Sequence, residues 1–305
     1  MFFKAEMDVH PFLLRFVKNT TLDLSRLYHA TCLPESLGQL VALTTLNLNW
    51  CLALTELPES LGQLTALTYL NLSECRALKG LPESLGQLTA LATLDLSLCY
   101  SLTGLPESLG QLTALKTLNF KWCDALTGLP ESLGQLAALT TLNIQVCRVL
   151  TRLPDSLGQL AALTTLNLGE CRVLTRLPDS LGQLAVLRIL DLFDCTALTQ
   201  LPESLGQLAA LTTLNLCWCI ALRRLPCSFA FLPDGLAVNM RWLSALSFPP
   251  KRIVAKKASV IKAFLLMHHH PLKMLYLIMS ARRRRARCPP AELWALICDE
   301  FCFHI

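Results

Sequence analysis

The chain has 305 residues, of which 53% are hydrophobic and only 16% are charged, so it contains ample apolar material for a buried core. No run of about 18 apolar residues is free of charges and helix breakers, and the opening residues do not resemble a secretory signal, so we expect a protein of the cytoplasm, with the nucleus as the alternative. The net charge of +5 is unevenly distributed, because residues 33–224 carry 11 Lys and Arg against 15 Asp and Glu, whereas residues 225–305 carry 12 against 4.

Residues 1–32 are predicted to form an N-terminal cap that includes a degenerate first repeat. Leu22-Asp23-Leu24 lies 24 residues before Leu46-Asn47-Leu48, and Leu27 stands where the later units have Cys. An open stack of repeats exposes its last apolar layer, so this end should be covered. The residues expected to cover it are Phe12, Leu13, Leu14, Phe16 and Val17.

Residues 33–224 contain eight complete units of 24 residues, each opened by Leu-Pro. In the unit 57–80 the apolar residues are spaced 4, 3, 3, 3, 2, 3 and 3 residues apart, which fits neither one long helix nor one long strand. The single step of two, Leu70-Asn71-Leu72, predicts a short strand with Asn71 facing outward. The longer steps predict a turn of helix or 3₁₀-helix on the opposite side, with Pro58 at its first position and Ser60 as a capping residue. Since one such coil cannot bury its apolar residues alone, the coils must stack.

One cysteine occupies the same place in every unit. Side chains in register point the same way into the core, and a reducing cytosol keeps them as thiols, so we predict buried and unbridged cysteines. Cys217, two residues before Cys219, is expected to lie outside this column. The column consists of Cys51, Cys75, Cys99, Cys123, Cys147, Cys171, Cys195 and Cys219.

Residues 225–247 are predicted to form a degenerate C-terminal cap, because the ninth unit loses the pattern by Phe229 and Pro233. Residues 248–305 are predicted to form a basic, partly helical tail. Its dense basic run has four possible roles: a nuclear-localisation signal, a nucleic-acid contact, a contact with an anionic membrane, or a solvated segment. The arginines of this run are Arg282, Arg283, Arg284, Arg285 and Arg287.

The repeat Leu-x-x-Leu-x-Leu-x-x-Cys-x-x-Leu-x-x-Leu-Pro-x-Ser-Leu-Gly-x-Leu resembles intracellular leucine-rich repeats, above all those of plant disease-resistance proteins and of Ras-pathway scaffold proteins. The resemblance covers about residues 20–246. It implies an α/β fold: a leucine-rich-repeat solenoid, or horseshoe, with a parallel β-sheet on the concave face and short helical or 3₁₀ turns on the convex face. It also implies partner binding by the repeats. No Gly-x-x-x-x-Gly-Lys-Ser/Thr phosphate loop precedes them, so immune-receptor activity is not carried over.

The positions that differ between the copies predict where a partner binds. The apolar spine is almost invariant, whereas the two residues after each strand vary freely and include large aromatic groups that should contact solvent. Such groups dominate the energetics of interfaces. The alternative is that these positions drift because packing does not constrain them. The predicted partner-binding residues are Trp50, Tyr69, Lys121, Trp122, Glu170, Phe193, Asp194 and Trp218.

A second predicted cluster is basic and lies in the loops after the cysteine column. Stacking of the coils is expected to align its members into one ridge, which is either solvated or bound to an acidic partner. The six residues are Arg148, Arg152, Arg172, Arg176, Arg223 and Arg224.

The function predicted from the sequence is that of a non-catalytic scaffold, which binds a protein partner on the concave face in signalling or defence. Catalysis needs one unusual group of residues, whereas this chain repeats its motifs and has no His between residues 30 and 267. No cofactor, metal or small-molecule substrate is expected. Two alternatives use the tail: residues 289–301 resemble the opening helix of an F-box, which implies a ubiquitin-ligase substrate adaptor, and the basic run suggests nucleic-acid binding.

Overall fold

The computed structural model describes residues 17–247, which form ten stacked coils. Each coil contributes one three-residue strand to a single sheet, and within the described residues nine of the strands are followed by a short 3₁₀-helix on the opposite side. The strands are β1 (Val17–Lys18), β2 (Thr21–Asp23), β3 (Thr45–Asn47), β4 (Tyr69–Asn71), β5 (Thr93–Asp95), β6 (Thr117–Asn119), β7 (Thr141–Asn143), β8 (Thr165–Asn167), β9 (Ile189–Asp191), β10 (Thr213–Asn215) and β11 (Ala237–Asn239). The 3₁₀-helices are η1 (Glu35–Gln39), η2 (Glu59–Gln63), η3 (Glu83–Gln87), η4 (Glu107–Gln111), η5 (Glu131–Gln135), η6 (Asp155–Gln159), η7 (Asp179–Gln183), η8 (Glu203–Gln207) and η9 (Cys227–Phe231).

The strands lie in the sheet in the order of the chain. Strands β2 to β11 are parallel, and each residue pairs with the residue 24 positions later, as Leu46 does with Leu70. The sheet lines the concave face and the 3₁₀-helices lie on the convex face, so the predicted leucine-rich-repeat solenoid is confirmed. The strand of each coil begins one residue earlier than the leucine spacing suggests, at Tyr69 in β4.

The first strand was not predicted from the sequence. It is antiparallel to β2, and the turn between them contains Asn19 in the left-handed region at φ 56°. Asparagine tolerates this conformation better than most residues do. The apolar residues predicted to cover this end lie outside the described residues, except for Val17 in β1.

The core is a set of leucine columns that run the length of the solenoid. Leu46, Leu70 and Leu94 face inward from successive strands and are fully buried. Burial of each leucine stabilises the fold by about 1.5–3 kcal/mol relative to an exposed side chain. Because every column continues into the next coil, each coil is stable only through its neighbours.

The cysteine column is buried and unbridged, as predicted. Each thiol donates a hydrogen bond to a backbone carbonyl of the preceding coil; the Sγ of Cys99, for example, lies 3.2 Å from the carbonyl oxygen of Leu72. Burial raises the pKa of Cys123, Cys171 and Cys219 to about 12. These three thiols therefore stay protonated at neutral pH, and protonated thiols are poor nucleophiles.

Cys217 lies outside the cysteine column, as expected. It occupies the turn position that Phe193 and Arg241 take in their own coils. Its side chain is nevertheless buried.

The predicted capping role of the repeated serines is wrong. Pro58 is the residue before η2, and no side chain caps that helix; the Ser60 hydroxyl has no hydrogen-bond partner within the described coils. Instead, the Ser60 amide donates to Oε2 of Glu35 in the preceding coil, at 3.0 Å. The acidic residue of each Leu-Pro-Glu motif thus links two coils.

Small residues in these helices allow the coils to approach closely. A Cβ atom added to Gly86 would lie 2.6 Å from the carbonyl oxygen of Ser108, which is closer than a real Cβ contact. Gly104, in the loop before η4, has no atom within 4 Å of the equivalent point. The repeated Gly of η1 to η8 is therefore required by packing between coils.

Residues 225–247 form one more coil, which continues the solenoid after the sequence pattern weakens. Phe229 is fully buried at the place that Leu205 takes one coil earlier, and β11 pairs with β10. The tail 248–305, with its basic run and its amphipathic segment, lies outside the described residues. Within residues 17–247 no helix has the length and hydropathy that a bilayer span requires.

Candidate partner-binding site

A column of residues with left-handed backbone runs along one edge of the sheet. Each member lies three residues after the Asn or Asp of its strand, and φ ranges from 55° to 66°. For bulky residues this conformation is unusual and costs roughly 1–2 kcal/mol each. We call this set the ridge column: Arg26, Trp50, Glu74, Leu98, Trp122, Val146, Glu170, Asp194, Trp218 and Trp242.

Hydrogen bonds on both sides hold the backbone of the ridge column in place. The Oδ1 atom of Asn47 accepts from the amide of Asn49 at 3.1 Å, and an equivalent bond occurs in all ten coils. The amide of Trp50 then donates to the Ser73 carbonyl of the next coil at 3.0 Å. This explains why the strands always carry Asn or Asp, since these side chains form the turn. Val146 and Glu74 are buried, whereas the other side chains of the ridge column reach solvent at least in part.

The structure brings most of the predicted partner-binding residues to this edge. Tyr69 lies apart, on strand β4, and is 37% exposed. Lys121 and Phe193 occupy the position just before the ridge column and are half-buried. The remaining five belong to the column itself, with Trp50 and Trp218 exposed and the other three half-buried: Trp50, Trp122, Glu170, Asp194 and Trp218.

Two tryptophans of the ridge column carry an arginine over the ring. The guanidinium carbon of Arg76 lies 5.6 Å from the ring centroids of both Trp50 and Tyr100. Its Nε atom is 2.9 Å from Oε2 of Glu74. The indole of Trp50 is thus part of a cation–π contact within the chain.

The same arrangement recurs at Trp122. Arg148 lies 5.1 Å from the ring centroid of Trp122, and its Nη1 is 3.3 Å from Oδ2 of Asp124. In both cases the arginine stands 26 residues after the tryptophan, on the next coil. Sequence reasoning missed Arg76 and Tyr100, although this shared offset of 26 residues was visible in the repeats.

Glu170 and Asp194, both predicted site residues, share one arginine. The Nη2 atom of Arg172 is 2.7 Å from Oδ2 of Asp194 and 3.7 Å from Oε2 of Glu170. Since the arginine side chain is 55% exposed, each such pair contributes less than about 1 kcal/mol. Two carboxylates thus share one guanidinium, so the three groups together keep a formal charge of −1.

The six loop arginines do not form the single basic ridge predicted from the sequence. Arg148 and Arg172 are held by carboxylates beside the ridge column. Arg152 and Arg176 instead line a groove that also contains Asp155 and Asp179. The four-residue offset within each loop separates these two pairs of arginines.

The ridge column also contains an aromatic pair that the sequence analysis did not identify. The ring centroids of Trp218 and Trp242 are 5.2 Å apart, and the rings are inclined by 21°, so they stack. Trp242 is 64% exposed. Trp242 stands 24 residues after Trp218, which is visible in the sequence, but the leucine pattern weakens in this coil and hides the repeat.

Among residues 17–247, no three His, Cys, Asp or Glu side chains are grouped closely enough to hold a metal ion. The predicted basic-tail site, Arg282 to Arg287, lies outside the described part of the chain.

Comparisons with known proteins agree with this architecture. The leucine-rich-repeat domain of the type III effector XopL is 29% identical to this chain and superposes on it with a TM-score of 0.64. The match covers 73% of this chain and 76% of the XopL domain. A second similar structure is the Arabidopsis receptor kinase HAESA in complex with a peptide hormone and a co-receptor, which is 25% identical to this chain. That match covers 68% of this chain and 41% of the HAESA chain, with a TM-score of 0.42. No functionally curated protein sequence is significantly similar to the chain. Residues 12–128 and 123–228 match the family described as the leucine-rich repeat region, and the chain therefore belongs to the leucine-rich-repeat family.

Proposed function

We propose that this protein is a non-catalytic scaffold that binds a protein partner through the ridge column and the adjoining concave sheet. The observation that carries the proposal is the distribution of tryptophan. The chain has five tryptophans, and four of them occupy the ridge column, at φ values of 63° to 66°.

Random drift does not account for this distribution. Glycine and asparagine adopt a left-handed backbone at the lowest cost, yet neither occurs among the ten ridge residues. Bulky indoles stand there instead, and Trp50 and Trp218 remain exposed. Tryptophan at these positions costs conformational energy in the backbone and leaves an indole exposed. Selection for contact with another molecule is the best explanation for its presence there.

The chemistry of the ridge column favours a protein as that molecule. Tryptophan, tyrosine and arginine are the residues most enriched among the energetic centres of protein interfaces. Arg76 fixes the rings of Trp50 and Tyr100 before any partner arrives, which lowers the entropy lost on binding. Membership of the leucine-rich-repeat family also supports an interaction module. A role in signalling or defence stays a prediction from the sequence.

The test compares two double variants of the full chain in capture of partners from the cell of origin. Trp122→Ala with Trp218→Ala removes two indoles of the ridge column. Thr89→Ala with Thr113→Ala is the matched control, because both threonines are exposed on the convex side and later repeats carry Ala at that position.

We expect the control to capture the same proteins as the unaltered chain and the tryptophan variant to lose them. Melting temperatures measured in parallel show whether both variants remain folded. Retention of every partner by a folded tryptophan variant would show that the ridge column is not the binding surface.

A further inference from the structure

The stacked pair Trp218 and Trp242 differs from the other tryptophans of the ridge column. Trp50 and Trp122 each have an arginine 26 residues later that covers the ring. At the corresponding position after Trp218 the chain has Ser244, whose hydroxyl donates to the carbonyl oxygen of Ile220 at 3.2 Å. Trp218 is therefore covered by a second indole and by no cation of the described coils.

This pair forms the most exposed apolar part of the ridge. Trp218 is 43% exposed, Trp242 is 64% exposed, and Ile220, in the loop beside them, is 40% exposed. Three large apolar side chains thus meet solvent at one end of the described solenoid. Clustered exposed apolar groups of this kind mark interaction sites more often than single ones do.

The unpaired charge beside the aromatic pair is positive. Along the ridge, Glu74 is paired with Arg76, whereas Glu170 and Asp194 share Arg172. Arg241, the residue before Trp242, is exposed and makes no side-chain ion pair within the described coils. An incoming carboxylate therefore finds a cation that no group of this surface neutralises.

Building on the proposed function, we infer that Trp218, Ile220, Arg241 and Trp242 form an anchor site for an acidic segment of a protein partner. An apolar side chain of that segment lies on the exposed indole of Trp242. A neighbouring carboxylate pairs with the guanidinium of Arg241. The segment combines an apolar anchor with acidic flanks, since the site offers an aromatic surface beside one free cation.

Single-stranded nucleic acid is less well matched to these residues. Stacked indoles do accept bases, but nucleic-acid sites also need a basic groove that follows the phosphates. Here Asp191 faces the concave side of the neighbouring strand, and Glu170 and Asp194 continue the ridge. These carboxylates would repel a phosphate chain beyond Arg241.

The experiment measures fluorescence anisotropy of labelled probes with the full chain. The main probe is a short peptide in which glutamate alternates with leucine and phenylalanine. A second peptide replaces every glutamate by lysine, and a third probe is single-stranded oligothymidylate. The variants are Trp242→Ala and Arg241→Glu, and the controls are Tyr28→Ala and Lys79→Glu, which change an exposed aromatic residue and an exposed cation elsewhere.

We expect the glutamate peptide to bind and the other two probes to bind far more weakly. Trp242→Ala and Arg241→Glu should each weaken binding by about tenfold or more, as central interface residues do, whereas the controls should change it by less than about threefold. Tighter binding of the lysine peptide or of the oligonucleotide would overturn the inference. Unchanged binding by Arg241→Glu would overturn it as well.

The outcome is separable from that of the proposed function. Loss of a captured partner by the Trp122→Ala, Trp218→Ala variant, together with no binding of the glutamate peptide, would leave the scaffold proposal intact and reject the acidic anchor. Peptide binding that Trp242→Ala abolishes, with partner capture unaffected by a Trp50→Ala, Trp122→Ala variant that leaves the anchor site intact, would support the anchor and reject the wider ridge.

Discussion

The buried thiol column makes the folded protein sensitive to alkaline pH. Burial raises the pKa of Cys123, Cys171 and Cys219 to about 12, against an ordinary value of 9.0. Between these values the folded state keeps protons that the unfolded state releases. The stabilisation is therefore fully present below about pH 9 and is lost as the pH rises towards 12.

The magnitude follows from the number of thiols. At pH 10 a thiol of pKa 9 is about 90% ionised in the unfolded chain, which favours unfolding by about 1.4 kcal/mol. Three such thiols together remove about 4 kcal/mol, a large part of the stability of an ordinary domain. Burial also raises the pKa of Cys99, Cys147 and Cys195, which adds to the effect. A hydrogen bond between Cys51 and Cys75 raises the pKa of Cys75 and lowers that of Cys51, so this pair adds less.

Urea unfolding followed by circular dichroism at pH 7, 9 and 10 measures this loss. Cys123→Ala should be less stable at pH 7 but should lose about 1.4 kcal/mol less than the unaltered chain between pH 7 and pH 10. Leu102→Ala, a core variant that keeps every thiol, should retain the full pH dependence. Equal slopes for the cysteine variant and the unaltered chain would refute the reasoning, as would a stability that is constant between pH 8 and 10.

Two further changes test the contacts between coils on the convex side. Gly86→Ala should lower the free energy of unfolding by about 1–3 kcal/mol, because the added Cβ would meet the carbonyl of Ser108. The control Gly104→Ala should be neutral or should stabilise the fold by up to about 1 kcal/mol. Urea unfolding of the two variants measures both effects, and equal effects would contradict the packing argument. Asp155→Glu should add about 0.5–1 kcal/mol, since the longer side chain can reach the amide of Ser180 as Glu131 reaches the equivalent amide one coil earlier at 3.1 Å; a thermal melt with no upward shift would count against this contact.

The fold was predictable because its signal is repeated in every unit. The leucine spacing around Leu70 and the column that contains Cys99 define the strand, the turn and the stacking direction without any long-range information. The ends were less predictable, since a single altered coil gives no repetition. Phe229 looked like the loss of the pattern, yet it fills the position of a core leucine.

The site was predictable only in part. Variation among the copies located Trp50 and Trp122, but not the left-handed backbone that makes tryptophan costly there. The contact of Arg76 with Trp50 depends on the geometry between two coils, which spacing within one unit does not describe. The capping role predicted for Ser60 was wrong for the same reason. The backbone amide of Ser60 donates to Glu35 of the preceding coil, a contact that spacing within one unit does not show.

The hydrogen bonds between coils join residues 22 to 27 positions apart. Gain or loss of one whole 24-residue unit would therefore recreate the same neighbours on both sides, and the core would need no adjustment. Only the distance between the tryptophans of the ridge column, such as Trp50, Trp122 and Trp218, would change. It would change in steps of one strand spacing, roughly 4.8 Å. The coil thus acts as a unit of length, and duplication of coils lets evolution set how far apart two anchor points stand without redesigning either of them.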